Sequence, residues 1–444
     1  MATKELESIR ATLANALDLM KAQGAEYAEA QFSTAVDRGV NVRLGKVEGI
    51  ETSKSMEIGL GMRIGDRSQS VQISSRSVQD LSEAVAKLAL SLKLKPENSY
   101  NRPADMALLS KVRHNRSLDL VDRSKLSIDA MADQAKQAEA VALSVSGVAN
   151  SDGASSGYGR YLSVGVDSRG VEFISERTSR SLSVSVIAKD GEEQQVGGEW
   201  TSATYASDLL LPDAVGRAAG LEAVRALNAG SAPVQGKYPV VFHPDIGASL
   251  LGHFSGAING KAIREKSSFL TDAMGQRVFA PGISVCDDPH LKRGMKSSRF
   301  SGEGLPTEYL VLVENGVLKS WLMALESARR LGLENVPQIR GATNLTIEPG
   351  VLTPDQLISD IQDGLYVTSL MGQGVDTVSG SYSRAAKGFW IKNGAIDFSH
   401  PVDNVSVSSN LKDMFLNMSV ANDLRRLRSS KAVPTLRVEG MSIA

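Results

Sequence analysis

Residues 4–228 pass twice through one order of patterns, and that order is the strongest constraint on how the chain can fold. Leu6, Ile9, Leu13, Ala16, Leu17 and Met20 recur at helical spacing. Short alternating segments follow at 28–33, 40–44, 56–64 and 70–74, which predicts antiparallel strands. Residues 77–92 return to helical spacing, with Ser77 as N-cap and Leu81, Ala84, Val85, Leu88 and Leu92 on one face. A polar connector over about 95–123 leads into a second round. Here a helix is predicted over 124–141, strands at 142–148, 161–167, 171–176 and 181–188, and a helix over 212–228 with Pro212 in its first turn. Val47-Glu48 with Ser53-Lys-Ser-Met56 matches Val171-Glu172 with Ser179-Arg-Ser-Leu182, about 125 residues later. Two related helix–sheet–helix units, over 1–95 and 120–230, are therefore expected.

Ala229-Gly-Ser-Ala-Pro-Val-Gln-Gly236 is small, flexible and Pro-punctuated, and marks the best domain boundary. Strand patterns dominate beyond it. Asn315-Gly316 and Asn393-Gly394 each lie between apolar runs, where the pair supplies the two positive φ angles of a tight hairpin turn. Helices are predicted at 323–332 and 355–361. The second follows Thr353-Pro354-Asp-Gln356, a capping-box spacing, and Gly364 is placed as its left-handed C-terminal cap. The expected fold is α+β in two domains: residues 1–232 carrying the duplicated units, and a strand-rich 233–444 with hairpins and a few helices.

Composition narrows the setting. Of 444 residues, 42% are apolar and 22% charged, as in ordinary soluble proteins, and no run of about 18 apolar residues could form a transmembrane helix. The N-terminal stretch carries charges throughout and lacks an apolar signal core, so a cytoplasmic protein is expected. The single thiol, Cys286, can form no internal disulfide and lies in an apolar run, which predicts a small buried side chain. A net charge of −1 gives no overall attraction to nucleic acid, and direct nucleic-acid binding is not expected.

A helical zinc peptidase needs two imidazoles on one helix face, with a carboxylate beside them to take a proton from metal-bound water. The five histidines are His114, His243, His253, His290 and His400. Only His243 and His253 lie close in sequence, and no glutamate adjoins either. His253 is read as a structural histidine. There is no G-x-S-x-G elbow and no P-loop, and Gly59-Leu-Gly61-Met-Arg-Ile-Gly65 lacks the spacing of a dinucleotide fingerprint. Two basic clusters, 290–299 and 425–431, are read as solvated loops or docking patches. The run 372–380 is more unusual. Its glycines let another backbone approach, so a peptide could pair along it, with Gly372, Gly374, Asp376 and Ser379 as cleft candidates.

Several spaced motifs now resemble one family. Gly302-Glu-Gly304-Leu-Pro-Thr, Val313-Glu-Asn-Gly-Val-Leu-Lys319, Gly341-Ala-Thr-Asn344 with Glu348-Pro-Gly350, Gly372-Gln-Gly-Val-Asp376 with Ser379-Gly380, and Ser419-Val-Ala-Asn-Asp423 look like the C-terminal half of the TldD/PmbA family, on its PmbA (TldE) branch. The likeness extends over nearly the whole chain. It implies a heterodimer of TldD-type and TldE-type chains that cleaves short unstructured peptides. It also places the zinc motif, H-E-x-x-x-H on a helix plus a later cysteine, in the TldD branch. Those motif positions fall here on Gly252, His253 and Ala257, and residues 424–444 contain no cysteine. The resemblance therefore implies no catalytic residue and no metal on this chain and zinc on a TldD-type partner; whether the isolated chain pairs with itself as a homodimer stays open. Two other readings stay open: a self-sufficient hydrolase built around His253 and Cys286, and a regulatory protein acting on DNA gyrase.

Overall fold

The computed structural model describes residues 3–109, 117–124, 126–333 and 340–444; part of the predicted connector, with His114, lies outside them. The fold is α+β. The first half runs α1 (Thr3–Ala22), β1 (Tyr27–Arg43), β2 (Lys46–Ile64), β3 (Arg67–Ile73), α2 (Val78–Leu92), α3 (Met106–Leu109), α4 (Ile128–Leu143), β4 (Val148–Asp167), β5 (Glu172–Asp190), β6 (Glu193–Ala203) and α5 (Pro212–Arg225). Its strands form one antiparallel sheet in the order β3-β2-β1-β4-β5-β6. That order is palindromic: the first strand of each unit pairs with the other at the centre. The two matched sequence segments fall on β2 and, but for Val171 just before it, on β5, which are equivalent strands.

Even-numbered residues of β1 share one face by the two-residue period of a strand. Ala28, Ala30 and Phe32 pack beneath α1 and α2, while Val40 and Val42 pack beneath α4 and α5. Two helix pairs thus lie side by side on one face of a continuous sheet. The arrangement explains the main correction to the strand pattern. Segments 28–33 and 40–44 are one strand, because 34–39 bridge the gap between two cores, where burial lapses and the apolar alternation lapses with it. Likewise 171–176 and 181–188 fuse into β5, and β6 was not foreseen. Residues 142–148 are not a strand: Ala142 completes the buried face of α4, and Gly147 turns the chain at φ 98° before β4 begins. The N-cap at Ser77 forms as read, its hydroxyl accepting from the Asp80 amide at 3.1 Å.

The second half runs β7 (Gly236–Phe242), α6 (Pro244–Ala257), α7 (Gly260–Arg264), β8 (Val285–Asp287), β9 (Leu310–Glu314), β10 (Val317–Leu318), α8 (Leu325–Arg330), β11 (Leu345–Ile347), α9 (Pro354–Ile358), β12 (Asp363–Val375), β13 (Ser381–Lys392), β14 (Ala395–Asn410), α10 (Leu411–Leu416), β15 (Met418–Val420), β16 (Lys431–Ala432) and β17 (Leu436–Ile443). One sheet has the order β10-β9-β8-β11-β16; the other has β14-β13-β12-β7-β17-β15, and β17 returns to pair with β14. A core that includes Phe242, Phe254, Phe279 and Phe415 draws on both sheets, with Phe279 and Phe415 stacked at 4.6 Å. Both Asn-Gly turns form with positive φ at each residue. The Thr353 capping box also forms, with bonds of 3.2 and 2.9 Å. Gly364 is not a left-handed cap. It lies within β12, opposite Ile391, where an added Cβ would come within 2.8 Å of Ile361 and of the Pro239 carbonyl. No helix among the described residues is long and apolar enough to cross a membrane.

Candidate functional site

β7 delivers the chain directly into α6. His243 caps the helix, its Nδ1 accepting from the Asp245 amide at 3.3 Å, and Pro244 occupies the first helical position. Leu250, Leu251, Phe254 and Ala257 bury one face. Gly252 and His253 belong to the surface that meets β13 and β16. A Cβ on Gly252 would stand 3.1 Å from Lys431 Nζ, so the space a side chain would enter there already holds an ammonium. The His253 ring meets the Tyr382 ring edge to face, with centroids 6.2 Å apart. His253 Nε2 and the Tyr382 hydroxyl are both buried without a hydrogen-bond partner.

Burial first, then the charges of Arg384 and Lys431, hold the His253 imidazole below its ordinary pKa. Burial pushes the Tyr382 phenol up to about 12, with Arg384 opposing the shift. Ala257 is fully buried in the core, so a metal-binding side chain there would have to displace packed neighbours. At the positions where the resemblance puts the zinc motif, the donor set is thus one imidazole, with the charges of two cations acting on it. Zn²⁺ takes three or four lone-pair donors, usually with anionic or neutral charge, and these residues do not fit it. Among the described residues no three His, Cys, Asp or Glu side chains converge elsewhere.

Cys286 and His253 do not form a dyad. The thiol donates to Glu348 Oε1 at 2.8 Å, while Arg426 holds the other carboxylate oxygen at 2.7 Å. Burial, followed by the Glu348 carboxylate, pushes the thiol up to about 12, the reverse of an activated nucleophile.

The run 372–380 is the tip of the β12–β13 hairpin. Asp376 accepts from the Val378 amide at 2.9 Å and from Ser379 Oγ at 2.6 Å, so two of the four cleft candidates close the turn. Gly374 admits a close approach, but the approaching backbone is the protein's own: an added Cβ would stand 2.2 Å from the Ser383 carbonyl. Gly374→Val would therefore distort the hairpin itself. Among the described residues, one part of β12 lacks a second strand neighbour, although Arg384 already donates to its Leu370 and Met371 carbonyls. Residues 369–375 pair with β13 on one side, and β7 reaches only 365–367 on the other.

The basic clusters are solvated in part: Lys292, Lys296, Arg425 and Arg426 are exposed, while several of their members are held by partners. Arg426 pairs with Glu348, Arg428 with Glu199 and Asp245, and Lys431 lies beside Gly252. Arg293 pairs with Asp119 and Asp208 and covers the Tyr205 ring. The Gly341-Ala-Thr-Asn344 motif is structural: Thr343 Oγ1 donates to the buried Asp287 at 2.7 Å, Arg340 pairs with the same carboxylate, and Asn344 donates to the Asp288 carbonyl at 2.7 Å. Sequence reasoning missed Tyr382 and Arg384 and grouped Lys431 with its basic neighbours. The strand alternation that aims residues 382 and 384 to one side was the available signal.

Comparison with known proteins agrees with this architecture. The PmbA/TldA metallopeptidase C-terminal domain matches residues 235–444, and the central domain of the same family matches 122–227. Metalloprotease PmbA of Escherichia coli O157:H7 is 32% identical over 95% of this chain and 93% of its own length. A Bacteroides thetaiotaomicron crystal structure, described as a candidate modulator of DNA gyrase, superimposes with a TM-score of 0.91 at 24% identity, covering 98% of each chain. TldE of Thermococcus kodakarensis does so with 0.80 at 17% identity, covering 97% of this chain and 99% of that one. These two likenesses establish the fold. Sequence and fold together make this chain a member of the PmbA/TldD metallopeptidase family.

Proposed function

We propose that this chain is the TldE-type subunit of a two-chain zinc peptidase, with the metal carried by a TldD-type partner and short unstructured peptides as substrate. The observation that carries the reading is the Lys431 ammonium beside Gly252, where the family's hydrolytic motif would need a metal ligand. An ammonium and a zinc ion repel, and water there gains no acidity. In this reading the chain forms one wall of the peptide chamber. The unpaired edge of β12 supplies backbone hydrogen bonds to an extended substrate, in the manner of strand addition. Gly372 lies on that stretch, with φ 80° and open space where a side chain would stand.

The test is to purify the chain alone and after co-expression with a TldD-type protein, then measure mass, zinc content and cleavage of unstructured peptides. The expected result is no stoichiometric zinc and no chelator-sensitive cleavage by the chain alone, and both in a stable pair. Chelator-sensitive cleavage by the isolated chain would overturn the reading.

A further inference from the structure

The gap between the two helix pairs of the first half is not filled. There the helix-facing side of the central strands carries Arg38 on β1, Tyr158 and Arg160 on β4, and Glu176 and Arg180 on β5. Strand pairing sets Arg38 beside Tyr158 and Tyr158 beside Arg180, so these side chains stand on one face. They line a cavity of about 580 Å³, bounded on its other side by Asp122, Arg123 and the first turn of α4. Two of its arginines are committed. Arg160 gives Nε and Nη2 to Glu176 at 2.8 and 2.5 Å. Arg180, with 2% of its side chain exposed, gives Nε to Asp122 at 3.2 Å and Nη2 to the Ser124 carbonyl at 2.8 Å. The other two are free: Arg38 and Arg123 are exposed, and neither guanidinium has an ion pair, hydrogen bond or ring contact among the described residues. Four guanidinium groups against two carboxylates leave the lining with an excess of two positive charges. Glu5 on α1 acts on Arg160 from outside the lining, more weakly than Glu176 does.

We propose that this cavity binds the phosphate group of a small organic phosphate monoester. The site does not depend on the peptide chamber. An excess of two positive charges is matched by a dianion, and a phosphate monoester is close to one at neutral pH. Guanidinium forks donate paired N–H bonds to phosphate oxygens, and a monoanion would leave one of the two free forks without a charge to meet. Arg180 is a positioning residue. It lies over the Tyr158 ring at 4.4 Å, and its bonds to Asp122 and Ser124 fasten the two residues that flank Arg123 to the sheet. The volume exceeds what a bare phosphate ion needs and falls in the range of small-molecule pockets. Tyr158, Leu126 and Val121 supply apolar wall for the rest of the molecule. Arg38 thereby gains a role in the stretch of β1 where the apolar alternation lapses: it interrupts the buried face at the joint between the two units, where a ligand can enter.

The experiment is isothermal titration calorimetry on the full chain at low ionic strength and about pH 8, where the monoester is fully ionised. The probes are phenyl phosphate, phenyl sulfate and inorganic phosphate. Phenyl sulfate keeps the shape of phenyl phosphate and has one charge fewer. Phenyl phosphate is expected to bind at least about tenfold more tightly than phenyl sulfate, the worth of one charge-assisted hydrogen bond, and more tightly than inorganic phosphate. Arg38→Gln and Arg123→Gln should each remove most of that preference, and Arg38→Lys should keep the charge but only part of the affinity. Neither arginine has a partner to lose, so the fold should survive, as thermal melting will check; the probes on the unaltered chain decide even if a variant fails to fold. Equal binding of phenyl phosphate and phenyl sulfate, or binding of neither, overturns the site. A preference that survives both Gln variants overturns it by placing the phosphate elsewhere. Inorganic phosphate binding as tightly as phenyl phosphate overturns the monoester and makes the free ion the ligand.

Discussion

Cys286 shows how far residue-level reading carries. Its apolar neighbours announced burial, and it is 2% exposed. Its hydrogen bond to Glu348 was not legible, because the acid comes from a distant segment brought across the β8–β11 ladder. The consequence is measurable. With its thiol pushed up to about 12, Cys286 in the folded chain should alkylate at pH 8 roughly a thousandfold more slowly than in denaturant; iodoacetamide labelling followed by mass spectrometry reads this directly. Equal rates would show that the Glu348 contact does not form in solution. The site itself was half legible. Gly252, His253 and Ala257 could be placed by motif, whereas Lys431 reaches them only because β16 lies beside α6, a contact between segments far apart in sequence.

At the scale of elements, turns and caps were legible and strand lengths were not. Asn-Gly pairs, Ser77 and Thr353 act through neighbours within three residues, so sequence holds the whole interaction. Strand β1 draws its continuity from hydrogen bonds to β2 and β4, which sequence does not display. A non-regular segment, 117–124, depends on similar remote ties. The Tyr205 hydroxyl, then Arg293, hold Asp119 below the usual carboxylate range. Burial works against the Asp122 charge, but hydrogen bonds from Ser124 and the Ala206 amide, with Arg180, outweigh it. Both folded-state values are depressed. Their contribution is therefore present above the ordinary carboxylate pKa of about 4 and is lost as pH falls through the folded values. Pepsin should cut within 117–124 below about pH 3 and spare it at about pH 5, while Asp119→Asn should make it sensitive at both.

At the scale of the molecule, the halves meet through a small apolar cluster, Ala104 and Leu109 against Leu305, Met323, Leu325 and Ala328, and through arginines. Arg428, with 11% of its side chain exposed, bridges Glu199 on β6 at 2.5 Å and Asp245 at the start of α6 at 2.8 Å, and lies over Trp200. Arg177 donates to the carbonyls of Met295 and Ser297 at 2.6 and 2.8 Å. We propose 229–236 as the boundary between two domains: the large cores lie within one half or the other, and only a small apolar cluster and the arginine contacts cross between them. Arg428→Ala leaves two facing carboxylates without their shared cation and should lower the unfolding free energy in urea by about 2 kcal/mol. Arg428→Lys should recover only part of this, since one ammonium lacks the planar fork that spans both acids. No change in Arg428→Ala would mean that this bridge contributes nothing to stability.

The mirror-like strand order of the first sheet has a bearing on the chain's origin. Since β1 and β4 join the units edge to edge from Glu29 to Val42 against Ala154 to Asp167, a single ancestral unit would have carried that raw edge itself. Its natural cover would have been an identical twin, docked antiparallel about a twofold axis. Fusing two such genes would have turned an encounter between molecules into a permanent internal joint, leaving each copy free to diverge.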